Sequence, residues 1–508
     1  MNRLIIISIL IAVCAAQLGA CTSDPRDRPI RIQLGAEPVS LDPAIAEDGA
    51  ALRILANTMD GLVGYDGKSA LKKKLAESFS ISQDGRRMEF SLRKNARWSD
   101  GKIVSADDFV VGFRRALSPE SVSKLGSMLN PIKNAVAFHK GAVPAQELGV
   151  RVEQAKLIIE LERPAPYFLH ALTLPAALPS RADVLKKNNG NWPETAPVTG
   201  PYKITAHTHD QRILLEKNPH YYDGNEGEPS IELLIVSDES TALHLFEQGK
   251  LDIANKLPLT EFKRLKIAGS LRTFPFLATY YLGFNTSKPP FQDVKWRRAV
   301  AAALNKNELL AALDSSELPA YSWIPPGLEG FSAGAAETPH RDSGLKGKFR
   351  NTVRAGFDSS SRNSLVFEKV QRDLLEKLGL KIALQNMDWK TYVKTLQSDA
   401  PALFRFGWQA PFLDPLPHLL AFTSKNPNNY THWRNSRYDE LVEKIRALPT
   451  GAERADLVRQ ADSLLVNEEA VVIPIYHYMQ NFAVAPQITR FQMNVFGVVP
   501  FNELVRSK

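Results

Sequence analysis

What most constrains the fold of this chain is the way strand-like and helical runs interleave along almost its whole length. Strand-like runs stand at 30–35, 87–92, 156–161, 202–204, 213–216, 233–236 and 271–276, and again at 381–384, 403–408 and 473–476. Helical runs stand at 52–58, 294–313, 365–378, 438–448 and 452–467, the third of them closed by Gly379. The stretch from Arg87 to Leu92 alternates apolar and polar, as a half-buried strand does. Ser105-Ala106-Asp107-Asp108 opens a further helix, with Ser105 as N-cap, an acid three residues on, and Phe109, Val110 and Phe113 on one face. Interleaving of this kind predicts α/β lobes and argues against an all-α or all-β body. A length of 508 residues, 44% of them hydrophobic, allows roughly three domains with sizeable cores. Residues 331–361, rich in Gly, Ser, Arg and Lys, break the pattern and read as loop.

The N-terminus is a separate matter. Arg3 is followed by an unbroken apolar run at 4–13, too short for a bilayer, which needs about 20 residues, but suited to a secretory signal. Leu18-Gly19-Ala20-Cys21 resembles the lipobox of bacterial lipoproteins. That resemblance implies a signal peptide at 1–20, lipidation of Cys21, a tether at 21–27, and an exported chain held to a membrane face by acyl chains. Thr22 leaves inner and outer membrane both open. The other cysteine, Cys14, lies in the signal core, so the mature chain has no disulfide and no cysteine-built zinc site. Net charge falls from +8 to +7 on cleavage, because residues 1–20 carry only Arg3. The tight basic clusters, Lys72-Lys73-Lys74 and Arg297-Arg298, lack the flanking aromatics that nucleic-acid binding uses, so no such partner is expected.

Motifs for covalent chemistry are missing. Gly64-Tyr65-Asp66-Gly67-Lys68-Ser69 resembles the end of a phosphate loop, but Leu62 stands where its first glycine belongs. There is no Gly-x-Ser-x-Gly elbow and no His-Glu-x-x-His pair. His207-Thr208-His209 offers two imidazoles without a third ligand beside them in sequence, and reads as a surface loop. Asp107 and Asp108 suit the first turn of a helix, where the dipole favours acids. The expectation is therefore a protein that is no enzyme and holds no cofactor or metal.

A series of segments carries a family resemblance: Glu37-Pro38-Val39-Ser40-Leu41-Asp42-Pro43, Phe90 through Gly101, Thr199-Gly200-Pro201-Tyr202, Glu216 through Tyr222, Tyr281-Leu282-Gly283-Phe284-Asn285-Thr286, and Phe291 through Lys306. In this order and spacing they resemble the bacterial extracellular solute-binding proteins of family 5, the oligopeptide- and dipeptide-binding lipoproteins of ABC importers. The resemblance implies a monomer of two α/β lobes with an interlobe ligand cleft, handing its ligand to the transmembrane subunits of a permease. It divides the chain into a discontinuous lobe I (28–59, 184–277 and 480–508), an inserted domain (60–183) and lobe II (278–479). Relative to the family, the region around 331–360 is shortened.

The same resemblance assigns site residues. Arg405-Phe406-Gly407-Trp408-Gln409 matches the strand against which the ligand's main chain is laid as an extra strand. Strand alternation puts Leu403, Arg405, Gly407 and Gln409 on one face and Phe404, Phe406 and Trp408 on the other. Gly407 leaves room for a ligand backbone. Arg405 suits a ligand carboxylate or, equally, a structural ion pair. Trp389, Tyr280 and Tyr281 match cleft aromatics, although at least one of the adjacent tyrosines belongs to the core. Ala278 and Gln409 stand where some members join two cysteines. The departure is Pro411, where peptide-binding members carry an aspartate for the peptide's free ammonium. Losing such a partner costs about 2–5 kcal/mol. Either Asp414 or Glu47 replaces it, Asp414 also fitting the acid of an Asp-Pro turn, or the ligand has no free amine there. The expected ligand is an oligopeptide; the alternative is an amine-blocked, cell-wall-derived or non-peptide solute.

Overall fold

The computed structural model describes residues 28–313, 316–334 and 343–507. Cys21, the signal segment and the tether at 21–27 lie outside them, as does the 335–342 part of the expected loop. The architecture is α/β and two-lobed, organised on one 11-stranded sheet. Its strands are β1 (Ile30–Leu34), β2 (Tyr202–Thr208), β3 (Arg212–Lys217), β4 (Ser230–Ile235), β5 (Ile253–Ala254), β6 (Leu271–Phe284), β7 (Leu318–Pro319), β8 (Val353–Asp358), β9 (Ile382–Met387), β10 (Leu403–Gln409) and β11 (Val472–Val484). They lie in the order β9-β8-β10-β6-β11-β5-β1-β4-β3-β2, with β7 also on β11.

The two long strands in the middle join the lobes. β6 has 14 residues and β11 has 13, and they pair antiparallel from Leu271↔Ala483 to Gly283↔Val472. The register slips between Pro275 and Thr279, where proline lacks an N–H for the ladder. β6 is half-exposed up to Phe276 and fully buried from Leu277 onward, so one strand serves a sheet edge in lobe I and a core in lobe II. Lobe II covers both faces of its sheet. Tyr281, Trp323, Phe404 and Phe422 pack on one side; Tyr280, Phe284, Phe357 and Tyr476 pack on the other. In lobe I, β1 runs parallel to β4 (Ile30↔Ile231), and its core continues into a four-stranded antiparallel sheet built from 76–160.

Local signals explain where the helices start and stop. α1 (Gly49–Thr58) is capped by Asp48, whose side chain accepts from the N–H groups of Ala50 and Ala51. α2 (Ala106–Ala116) carries the expected capping box between Ser105 and Asp108. The expected helix at 294–313 is two, α3 (Val294–Ala303) and α4 (Lys306–Leu313), because Leu304 turns extended and Asn305 caps the second helix. α5 (Ser361–Leu378) ends on Gly379 in the left-handed region at φ 66°. The expected loop at 331–361 is corrected at β8, an inner parallel strand whose Gly356 and polar ends hide the apolar pattern. The glycine-rich 61–69 stretch forms a hairpin, Val63–Tyr65 with Leu71–Lys73.

Candidate functional site: the interlobe cleft

β10 is paired with β6 along its whole length, Ala278↔Gln409 to Phe284↔Leu403. On its other side β8 pairs with it only through Ala355↔Leu403 and Gly356↔Phe404. Beyond that, the Arg405 carbonyl accepts from the Tyr392 hydroxyl at 2.5 Å, and among the described residues no strand covers the second edge from Phe406 to Gln409. A short open edge next to a cleft is a template for an added strand.

The side chains on β10 alternate by face. Phe406 stacks on Trp389 (5.9 Å between centroids, 22° between planes) and meets Tyr430 and Tyr281 edge-on. Trp389 opens α6 (Trp389–Asp399) behind its cap Asp388 and is 54% exposed, an aromatic plate on the lobe II surface. Trp408 packs with the same core. Tyr280 and Tyr281 are both buried, on opposite faces, so both are corrected from cleft aromatics to core. Tyr280 stacks on Tyr476 at 4.6 Å; Tyr281 meets Trp323 edge-on at 5.0 Å.

Arg405 turns to the opposite face, its guanidinium 5.3 Å over the Tyr280 ring and 2.5 Å from Asp358 Oδ1. Of its two readings, the structure shows the ion pair. Burial works against its charge, and the surrounding Tyr280, Tyr478 and Asp358 more than compensate, so its pKa is raised. The room expected at Gly407 is taken by Tyr478 of β11, whose hydroxyl lies 2.9 Å from where a Cβ would stand.

Two cavities open between the lobes: the second reaches β10 at Gln409, and the larger meets it only through Tyr478, which covers Gly407. The larger, about 590 Å³, lies between Arg53, Lys256 and Phe262 of lobe I and Glu317 and Arg362 of lobe II, with Tyr478 at its floor. Arg362 pairs with Glu317. Arg53 is different. Its guanidinium forms no hydrogen bond or ion pair with any described residue, and burial lowers its pKa. Arg53 was absent from the residues expected from sequence. The signal available was its place as the one charged residue in α1.

The second cavity, about 200 Å³, is lined by Gln409 and Pro411 from lobe II and by apolar Leu52, Leu55 and Met59 of lobe I. Of its three acids, Asp60 holds the hydroxyls of Tyr221 (3.0 Å) and Tyr222 (2.8 Å), and Asp66 closes a turn through the N–H groups of Lys68 and Ala70. The Glu503 carboxylate forms no hydrogen bond or ion pair with any described residue. The two carboxylates expected to stand in for the missing aspartate are engaged elsewhere. Asp414 is 4% exposed and takes both its oxygens to Arg454 Nη2 at 2.8 and 2.9 Å, while capping Leu416 N–H at 2.8 Å. It is a buried structural acid, and that corrects its reading as an amine partner. Glu47 pairs with Lys124 at 2.7 Å in an exposed bridge, a contact worth at most about 1 kcal/mol.

Comparison with known proteins agrees with this geometry. The family model for bacterial extracellular solute-binding proteins, family 5 (Middle), matches residues 70–430. The chain is 29% identical over 504 residues to the Escherichia coli K12 protein named probable deoxycholate-binding periplasmic protein YgiS, covering 94% of this chain and 93% of that one. It is 28% identical over 476 residues to the oligopeptide-binding protein OppA of Bacillus subtilis 168, covering 88% and 87%. Among solved structures, the unliganded open form of the periplasmic murein tripeptide-binding protein MppA superposes with a TM-score of 0.82 at 24% identity, covering 94% of this chain and 97% of that one.

Proposed function

The chain belongs to the bacterial extracellular solute-binding proteins of family 5, and from that membership we propose that it is the receptor of an ABC importer for a peptide or peptide-like anion. The observation that carries this reading is the open edge of β10 from Phe406 to Gln409, which ends at the smaller interlobe cavity. A ligand main chain laid there is bound through groups every peptide shares, which permits breadth of sequence. Arg53, unpaired among the described residues and lining the larger cavity, supplies a cation for a ligand carboxylate. The lobes then close over the ligand by bending at β6 and β11, and the closed form docks on the permease. Lipidation of Cys21 keeps the receptor on the membrane face.

A second reading rests on Pro411. It removes the family's amine partner and opens onto an apolar wall, which suits an amphiphile or an amine-blocked peptide. A relative named for deoxycholate binding points the same way. Native mass spectrometry of the unlipidated chain, purified without denaturation, separates the two. A ladder of mixed peptides supports the first reading; a single non-peptide or amine-blocked mass supports the second. A chain that binds neither peptides nor amphiphiles after ligand removal contradicts both.

A further inference from the structure

We propose that Glu37, His207 and His209 form a binding site on lobe I for a divalent transition-metal ion, zinc foremost. His207 lies near the end of β2 and His209 in the turn that joins β2 to β3. The sequence offered no third ligand for these imidazoles; the fold brings one from 170 residues away, in the segment that leaves β1. His207 Nε2 lies 2.7 Å and His209 Nδ1 3.0 Å from the same oxygen, Glu37 Oε1. All three donor atoms lie within 4.8 Å of one another.

The surroundings are those of a metal ligand set. The far nitrogen of His207, Nδ1, is 2.7 Å from Glu194 Oε2, and the far nitrogen of His209 is 3.6 Å from Asp210 Oδ2. His207 therefore has a hydrogen-bonded carboxylate behind it to fix its tautomer and strengthen its donor nitrogen, the usual support for a metal-bound histidine, while Asp210 adds negative charge near His209. Glu37 Oε2 accepts from Asp210 N–H at 3.1 Å, which holds Oε1 toward the rings. Two imidazoles and a carboxylate leave a fourth position for water. With bonds of about 2.0–2.1 Å, a tetrahedral zinc sets its ligand atoms roughly 3.3 Å apart, so the 2.7 and 3.0 Å spacings to Glu37 open by about 0.3–0.6 Å. The two imidazole nitrogens, within 4.8 Å of each other, settle to the same spacing by rotation of the exposed His209. His207 and Glu37 are mostly covered, while His209 is 77% exposed and forms the entrance. Three carboxylates (Glu37, Glu194 and Asp210) face two imidazoles, a balance that attracts a cation. A bound ion would pin the β1–α1 segment to the β2–β3 hairpin.

The test is calorimetric titration of zinc chloride into tag-free, chelator-stripped protein at pH 7.5, with magnesium as control. One saturable site of micromolar affinity, absent with magnesium and accompanied by a raised Tm, is the expected result. His209→Ala should weaken binding at least tenfold while leaving the zinc-free Tm unchanged, because the side chain is exposed; Glu37→Gln should weaken it as well. X-ray absorption should then show two imidazoles in the first coordination sphere. No saturable binding, or equal affinity in His209→Ala, overturns the proposal.

Discussion

Replacing Asp414 by asparagine separates a structural acid from a ligand contact. The carboxylate and its partner Arg454 have side chains only 5% and 2% exposed. Taking the charge from one member of such a pair leaves the other buried and uncompensated, typically at a cost of about 3–5 kcal/mol. Two features place this case at the lower end. Arg454 keeps Glu329 at 2.5 Å and the Ile445 carbonyl at 3.0 Å, and asparagine keeps an oxygen for the Leu416 N–H. A loss of about 3 kcal/mol, at about 2–4 °C per kcal/mol for a unit the size of lobe II, lowers the apo Tm by roughly 6–12 °C. Differential scanning calorimetry of the ligand-free Asp414→Asn protein reads this directly. An unchanged apo Tm with lost affinity for free-amine peptides would refute the reasoning and return Asp414 to the cleft.

Arg53→Met removes a cation that forms no side-chain bond with any described residue, so apo Tm should stay within about 1 °C while affinity for the co-purified ligand falls some tenfold to a hundredfold, the worth of one charge-assisted hydrogen bond. Calorimetric titration checks it, and unchanged affinity would contradict it. Pro411→Asp should favour free-amine over N-acetylated peptides by some thirtyfold or more, read by competition binding; no discrimination would mean that the cavity is reshaped beyond the charge. Stability should also fall on mild acidification. His418 and His477 are buried, and burial pushes both down to about 3, while the unfolded chain takes up their protons near 6.5. Their neutral forms are thus fully stabilised above 6.5 and lose about 1.4 kcal/mol each by pH 5.5, as the unfolded state binds more protons. Asp462, pushed up to about 6 by burial, offsets roughly 1 kcal/mol of this. Thermal melts from pH 7.5 to 5.5 should show the fall, with about half of the histidine contribution lost in His418→Leu.

Local chemistry was the legible part of this chain. Arg87–Leu92, the Ser105 capping box and the Gly379 stop derive from spacing and cap residues alone, and the structure places them as read. Lengths were less legible. β6 changes from a half-exposed to a fully buried pattern at Leu277, so its alternation ends halfway along the strand. β8 hides because an inner parallel strand needs no alternation and Gly356 interrupts its apolar run. In the cleft, the two faces of β10 could be read from period two, but what meets each face could not. Tyr478 over Gly407, Arg454 beside Asp414 and Glu37 between two histidines are contacts between residues far apart in sequence. Arg53 is hidden in the sequence for the opposite reason: it is informative because no described residue pairs with its guanidinium.

The most direct test is a crystal structure of the chain with the ligand it carries from cells. If β10 is the binding strand, the ligand's backbone will hydrogen-bond to the open edge at Phe406–Gln409, with an anionic group at Arg53. A ligand seated elsewhere, leaving that edge to solvent or to another part of the chain, would contradict the assignment.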